Sequence, residues 1–84
     1  MISQIKALPA FDDNYIWSLW DEDSKALCVV DPGDPMPVIK LIEDEKLTLD
    51  SILITHHHPD HTGGIAELTA RYSCKVYGPN NPGI

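Results

Sequence analysis

Residues 51–61 read SILITHHHPDH, in which a short apolar segment runs directly into a cluster of histidines. The first five residues, SILIT, are apolar and partly β-branched, which predicts a strand buried on both faces. The next six residues hold all four histidines of the 84-residue chain. Because ligands of α/β sheets bind beyond the carboxyl ends of strands, this junction predicts a functional site at a sheet edge.

The histidine cluster has the residue types and spacing of metal ligands. His56 and His58 alternate, so their side chains can point the same way, while Asp60 and His61 can face a second position. Imidazole and carboxylate groups are usual ligands of zinc and similar divalent ions. The alternative is a solvated loop or an incidental chelating tract, which typically lies at a terminus. His57 is out of phase with its neighbours, and we interpret it as a packing or solvent-facing residue.

The segments before this junction predict three strands and one helix. Residues 2–8, 14–20 and 26–30 are rich in β-branched, aliphatic and aromatic side chains, and we expect the first two strands to be adjacent. The third strand ends at Asp31-Pro32-Gly33, a run of turn-forming residues. Apolar residues at helical spacing then predict a helix over residues 36–46.

The segments after the junction complete an alternation of strands and helices. Ile65, Leu68, Thr69 and Tyr72 share one face of a helix that follows Gly63-Gly64, and a strand begins at Lys75. This alternation predicts an α/β layered domain that occupies residues 1–84. Since residues 79–84 are turn residues with no further element, we expect an incomplete domain.

Composition excludes several classes of function. Six basic and 13 acidic residues give a net charge of −7, which argues against nucleic acid and anionic membranes as partners. The sequence has neither a signal peptide nor an apolar run long enough to span a bilayer. Cys28 and Cys74 are interpreted as reduced thiols. The sequence therefore predicts a soluble, cytoplasmic protein.

Asp31 has two readings from sequence alone. It is either a turn former at the end of a strand or a residue that supports the histidine loop. Residues 43–45 are read as a solvated acidic helix end. The three aromatic residues in the predicted strands are read as structural: Tyr15, Trp17 and Trp20.

Two motifs carry a resemblance to a known family. The pattern His56-x-His58-x-Asp60-His61 after an apolar strand, with Asp31-Pro32-Gly33 ending an earlier one, resembles the metallo-β-lactamase superfamily. Residues 7–17 (ALPAFDDNYIW) and 53–64 (LITHHHPDHTGG) resemble the hydroxyacylglutathione hydrolase, or glyoxalase II, branch. The resemblance covers essentially the whole chain and implies the N-terminal part of an αββα sandwich.

The resemblance also implies a metal site and an activity. His56 and His58 would bind one metal ion, and Asp60 and His61 a second, with Asp60 also helping to orient the attacking water. The implied metal is zinc, two ions per complete domain, with iron or manganese as alternatives. The implied reaction is hydrolysis of S-(2-hydroxyacyl)glutathione, such as S-D-lactoylglutathione, to a 2-hydroxy acid and glutathione in methylglyoxal detoxification.

The family pattern includes parts that these residues do not supply. It adds two histidines, a bridging aspartate and a C-terminal helical domain that contacts glutathione. We therefore expect one bare sheet face unless another chain covers it, and an isolated chain that is inactive. The alternatives are another hydrolase of the superfamily, a persulfide dioxygenase with one iron, or an inactive fragment or interaction module that completes its sheet with a partner chain.

Overall fold

The computed structural model of the chain describes residues 2–10, 14–55 and 64–78. Within these ranges the elements, in chain order, are β1 (Gln4–Ala10), β2 (Asn14–Trp20), β3 (Ala26–Val30), α1 (Pro35–Glu45), β4 (Thr48–Leu53), α2 (Ile65–Arg71) and β5 (Lys75–Tyr77). The strands form one mixed sheet in the order β1-β2-β3-β4-β5. The β1/β2 and β2/β3 pairs are antiparallel, while β3/β4 and β4/β5 are parallel. The predicted α/β class is confirmed.

Most predicted elements are present, and the largest shift concerns β4. The sequence predicted this strand over residues 51–55, but it pairs with β3 from Thr48 and ends at Leu53. The backbone N–H of Thr55 donates to the Asp31 carboxylate, 2.8 Å away, and not to a neighbouring strand. Hydrogen-bonded pairing with β3, which apolar composition does not reveal, sets where β4 begins. Beyond the end of β4, the Thr55 N–H donates to the Asp31 side chain.

One face of the sheet packs against the two helices and forms the core. In β2 and β3 alternate residues point to this face, because side chains of a strand alternate between the two faces. In β4 a shift of the pairing register with β3 places both Leu49 and Ile52 on this face. The strands contribute Ile16, Trp20, Leu27, Val29, Leu49 and Ile52. The helices contribute Val38, Ile39, Leu41, Ile42 and Leu68. The helix face that apolar spacing predicted for α1 is therefore the face that it buries.

Helix α1 has a defined cap at each end. The Asp34 side chain accepts a hydrogen bond from the Met36 backbone N–H at 3.0 Å, and Pro35 occupies the first turn. At the other end Lys46 adopts a left-handed conformation, φ 56°, and the Leu47 N–H donates to the Ile42 carbonyl. The acidic residues 43–45 are exposed, as predicted.

Within the described ranges the opposite face of the sheet is exposed, in agreement with the predicted bare face. Trp17, Val30, Leu53 and Tyr77 are successive cross-strand partners, so they form one row across β2, β3, β4 and β5. Trp17 and Tyr77 are each 51% exposed. Leu53 is 38% exposed, so the prediction that β4 is buried on both faces is wrong for this chain. Among the described residues no element packs over this row.

No helix in the described ranges is long and apolar enough to span a membrane. Cys28 and Cys74 are both free and partly buried, in agreement with their interpretation as reduced thiols.

Candidate metal site

The predicted metal ligands lie outside the described residues. His56, His58, Asp60 and His61, together with the non-ligand His57, fall between Thr55 and Gly64, which border the described ranges. The described residues themselves contain no cluster of metal-ligating side chains. The ligand assignments therefore stay predictions, and the structure shows what surrounds the two ends of their loop. We call residues 56–63 the ligand loop.

The first end of the ligand loop is held by Asp31. One carboxylate oxygen of Asp31 accepts the Thr55 backbone N–H at 2.8 Å. The other carboxylate oxygen accepts the Thr55 hydroxyl. A carboxylate that accepts two hydrogen bonds from one residue fixes both its backbone and its side chain. Of the two readings of Asp31, support of the ligand loop is therefore the one its contacts favour.

Asp31 is placed for this role by the end of β3. Its backbone N–H donates to the Leu53 carbonyl at 2.8 Å, which extends the contact between β3 and β4 by one residue. Its φ of 52° lies in the left-handed region, which aspartate tolerates better than most residues. The chain then turns, and the Gly33 N–H donates to the Asp31 carbonyl at 2.9 Å. We call residues 31–34 the β3 turn.

Gly64, the residue directly after the ligand loop, contacts the same β3 turn. The Gly64 backbone N–H donates to the Pro32 carbonyl at 3.1 Å, just before α2 begins. Because β3 and β4 are parallel, their carboxyl ends lie at one edge of the sheet, where α/β proteins place their sites. The sequence predicts the site in the loop after the carboxyl end of β4, and the residues on either side of that loop, Thr55 and Gly64, lie at this edge.

The third parallel strand, β5, ends at the same edge. The Ile54 backbone N–H donates to the Tyr77 carbonyl at 2.8 Å, so the segment leading into Thr55 is hydrogen-bonded on both sides. The backbone that leads from β4 to Thr55 is therefore hydrogen-bonded to Asp31 on one side and to β5 on the other.

The clear pKa shifts lie away from this edge. The hydrogen bond between Lys25 and Glu22, 2.7 Å long, raises the pKa of Lys25 and lowers the pKa of Glu22 at the β2–β3 connection. Burial raises the pKa of the Cys74 thiol, which precedes β5. The Lys25–Glu22 pair is placed to support the hairpin and not a reaction at the ligand loop.

Sequence reasoning missed two contributors to the site. Thr55 was read as the last residue of a strand and Pro32 as turn punctuation, whereas the glycine pair 63–64 was read as permitting close backbone approach before a helix. Asp31 and Thr55 are separated by 24 positions, and no periodic pattern connects them. The available signal was that one turn-forming run, 31–33, follows a predicted strand and the other, 63–64, precedes a predicted helix.

Three imidazoles and one carboxylate form the predicted donor set, and their chemistry fits a divalent cation. Neutral imidazole nitrogen and carboxylate oxygen are ligands that zinc, iron and manganese accept. Asp31 is not one of the predicted ligands, but its carboxylate accepts the backbone N–H of Thr55, directly before the ligand loop. Residues behind metal ligands commonly orient them through such hydrogen bonds.

Comparison with known proteins relates this chain to curated enzymes. Hydroxyacylglutathione hydrolases of Chromohalobacter salexigens and Shewanella loihica are 56% identical over 77 residues and 54% identical over 82 residues. The alignments cover 92% and 95% of this chain but 30% and 32% of the relatives. The chain therefore spans about a third of the length of the curated relatives it matches.

Structure and family comparisons agree on the fold. The crystal structure of BLEG-1 B3 metallo-beta-lactamase is similar with a TM-score of 0.79 and 32% identity, covering 88% of this chain and 36% of that chain. The predicted fold, part of a metallo-β-lactamase domain, is confirmed. The family model described as the metallo-beta-lactamase superfamily matches residues 12–83. Membership of this superfamily implies binding of divalent metal ions. With residues 12–83 matched, this chain belongs to the metallo-β-lactamase superfamily.

Proposed function

We propose that this chain supplies the ligand loop of a hydroxyacylglutathione hydrolase. The reaction is hydrolysis of an S-(2-hydroxyacyl)glutathione, such as S-D-lactoylglutathione, to the 2-hydroxy acid and glutathione, a step of methylglyoxal detoxification. The observation that carries the proposal is identity of about half of all positions with relatives of that name, across nearly the whole chain. The edge formed by Asp31, Thr55 and Gly64 supports it, because it holds both ends of the ligand loop.

The proposed metal ligands are the four residues that the sequence singled out. His56 and His58 would hold one ion, and Asp60 and His61 a second. Zinc is the proposed metal, and iron or manganese would suit the same donors. When bound, such ions lower the pKa of water to about 7 and polarise a carbonyl group, which is the chemistry that thioester hydrolysis requires.

The residues of this chain have distinct proposed roles in the reaction. Water adds to the thioester carbonyl carbon, the carbon–sulfur bond breaks, and the glutathione sulfur leaves and takes up a proton. Asp60 would orient the water and accept its proton. Asp31 would act on the loop backbone through Thr55, so its role is positioning.

We also propose what the protein binds and where in the cell it acts. The substrate is a small glutathione thioester, and neither nucleic acid nor membrane is a proposed partner, in keeping with the net charge of −7. A further polypeptide would complete the fold and the glutathione contacts. We propose a cytoplasmic location, where glutathione thioesters and reduced thiols are both expected.

A second candidate, an inactive fragment or interaction module, is favoured by one observation. The bare row of Trp17, Val30, Leu53 and Tyr77 leaves a sheet face without a covering layer in the described residues. Open catalytic metal sites need rigid surroundings, which a half-covered sheet provides poorly. We therefore expect the isolated chain to bind metal but to hydrolyse thioester no faster than a loop variant.

The test compares matched histidine variants. Native mass spectrometry would measure zinc bound by the wild-type chain, His58→Ala and His57→Ala. We expect His58→Ala to lose zinc and His57→Ala to keep it, because only His58 is a proposed ligand. Equal zinc content in the two variants would contradict the ligand assignment.

Activity is tested in a chimera. This chain would replace the matching 77 residues of the Chromohalobacter salexigens relative, with which it is 56% identical. We expect the chimera to hydrolyse S-D-lactoylglutathione, His57→Ala to retain the activity and His58→Ala to abolish it. A folded, metal-loaded chimera without activity would count against the proposed reaction.

A further inference from the structure

The exposed face of the sheet, which we call the bare face, carries two rows of cross-strand partners. The first row runs from Trp17 in β2 to Tyr77 in β5. The second row crosses the same four strands and consists of Leu19, Cys28, Ser51 and Lys75. Strand β1 continues both rows, because Ala7 pairs with Trp17 and Ile5 with Leu19. The bare face therefore extends over all five strands.

Exposed apolar side chains are concentrated on this face. The described residues expose eight large apolar side chains, and five of them belong to the bare face: Ile5, Tyr15, Trp17, Leu53 and Tyr77. Single exposed apolar residues are normal on a protein surface, whereas a contiguous group of them marks an interaction site. The bare face is therefore a candidate docking surface.

The charge of this face differs from that of the whole chain. The chain has 13 acidic residues and a net charge of −7, yet no acidic residue belongs to either row. Lys75 is the one charged residue in the two rows. Interfaces are typically depleted of charge at their centre. Two copies that meet through this face therefore bring none of the row residues into acidic repulsion, in spite of their net charge.

The exposed apolar area is sufficient for a dimer. Tyr15, Trp17 and Tyr77 are 59%, 51% and 51% exposed. Aromatic side chains bury about 150–250 Å² each, so these three offer roughly 200–400 Å² per copy. Ile5, at 65% exposure, and Leu53 add further apolar area. Two copies would then bury on the order of 1,000 Å² in total, which is where specific interfaces begin.

We propose that the bare face binds a second copy of this chain, face to face about a two-fold axis. Each copy carries its helices on the other face of its sheet, so the dimer has the layer order helix, sheet, sheet, helix. Both copies use the same patch in such a contact, so association stops at two chains. The inference goes beyond the proposed reaction and does not involve the histidines.

The first test compares two lysine substitutions by sedimentation equilibrium. Leu53 and Val76 are both 38% exposed and lie in neighbouring strands. Leu53 belongs to the bare face, whereas Val76 pairs with Ile52 on the packed face. We expect a dimer for the wild-type chain. Leu53→Lys should raise the dissociation constant of this dimer at least about tenfold, and Val76→Lys should leave it unchanged.

The second test needs no substitution, because each side of the sheet has one thiol. Cys28 lies in the second row of the bare face, while Cys74 packs against the core. Both cysteines are free and partly buried. Mass spectrometry would measure their alkylation by iodoacetamide at chain concentrations below and above the dissociation constant. We expect alkylation of Cys28 to slow in proportion to the dimer fraction, and alkylation of Cys74 to stay constant.

Several results would overturn the inference. A chain that is monomeric at every concentration forms no such dimer, and a dimer that both lysine substitutions weaken equally uses another surface. Alkylation of Cys28 that does not change with concentration would show that no second copy covers the face. Assemblies larger than two chains would exclude a closed two-fold contact. None of these results bears on the proposed hydrolase, since no predicted metal ligand is changed.

Discussion

At the scale of single residues, Asp31 combines two properties that are usually separate. Its left-handed φ of 52° turns the chain, and the same turn aims its carboxylate at Thr55. A residue with a poorer tolerance of positive φ would strain the turn, whereas a residue without acceptor oxygens would leave Thr55 without this partner. Turn chemistry and loop support are therefore one requirement at this position.

Substitution of Asp31 separates these contributions. We expect Asp31→Ala to lower the free energy of unfolding by about 1–3 kcal/mol, because it removes a charged acceptor and the tolerance of positive φ. Asp31→Asn keeps that tolerance and one acceptor oxygen, so a smaller loss is expected. Urea unfolding followed by tryptophan fluorescence would measure both.

The control is Asp50→Ala, which changes an exposed aspartate within β4. Surface substitutions of this kind usually change stability by less than about 0.5 kcal/mol. If Asp31→Ala and Asp50→Ala unfold at the same urea concentration, the contact with Thr55 contributes nothing to stability.

The framework around the candidate site was predicted only in part from the sequence. Asp31 was singled out, but its partner was not, because a hydrogen bond across 24 positions depends on how two strands align. Close backbone approach at the glycine pair was predicted, but the sequence alone does not identify the segment that approaches Gly64, which is the backbone of Pro32, Asp34 and Pro35. The roles of His56, His58, Asp60 and His61 stay predictions, since these residues lie outside the described ranges.

At the scale of elements, helix α1 shows how local chemistry sets a boundary. The Asp34 carboxylate accepts the Met36 N–H, and Pro35 begins the helix, so its start follows from adjacent residues. The predicted start, one residue later, came from apolar spacing alone. Strands β2, β3 and β5 kept their predicted bounds because polar or turn residues flank each of them.

Removal of the helix cap should have a measurable cost. We expect Asp34→Ala to lower the free energy of unfolding by about 1 kcal/mol, the usual contribution of a capping aspartate. Asp44→Ala, in the last turn of the same helix, should be neutral or slightly stabilising, because an acid there opposes the helix dipole. Chemical denaturation of both variants would check this, and a larger loss from Asp44→Ala would contradict it.

At the scale of the whole molecule, the two faces of the sheet differ in kind. One face packs on α1 and α2, while the other presents the apolar row from Trp17 to Tyr77. Soluble monomers rarely expose extended apolar patches, so such a face calls for a covering layer. The bare face was predicted from the family resemblance, because the αββα sandwich has a second half that these 84 residues were not expected to supply.

The bare face makes a prediction about association. We expect the isolated chain to self-associate in sedimentation velocity experiments, and Trp17→Ser to shift it toward the monomer with its circular dichroism unchanged. The control is Trp20→Ser on the packed face, where Trp20 is 5% exposed. That variant should lose about 3–5 kcal/mol and unfold. A wild-type chain that remains monomeric throughout a concentration series would refute this expectation.

The spatial order of the strands equals their order in the chain. Each new strand therefore adds to the edge left by the strand before it, and no later strand must insert between earlier ones. During synthesis, β1, β2 and β3 leave the ribosome before the histidines do, so we expect these three strands to pair first. Metal binding by residues 56–63, as proposed, would then follow the pairing of the strands that precede them.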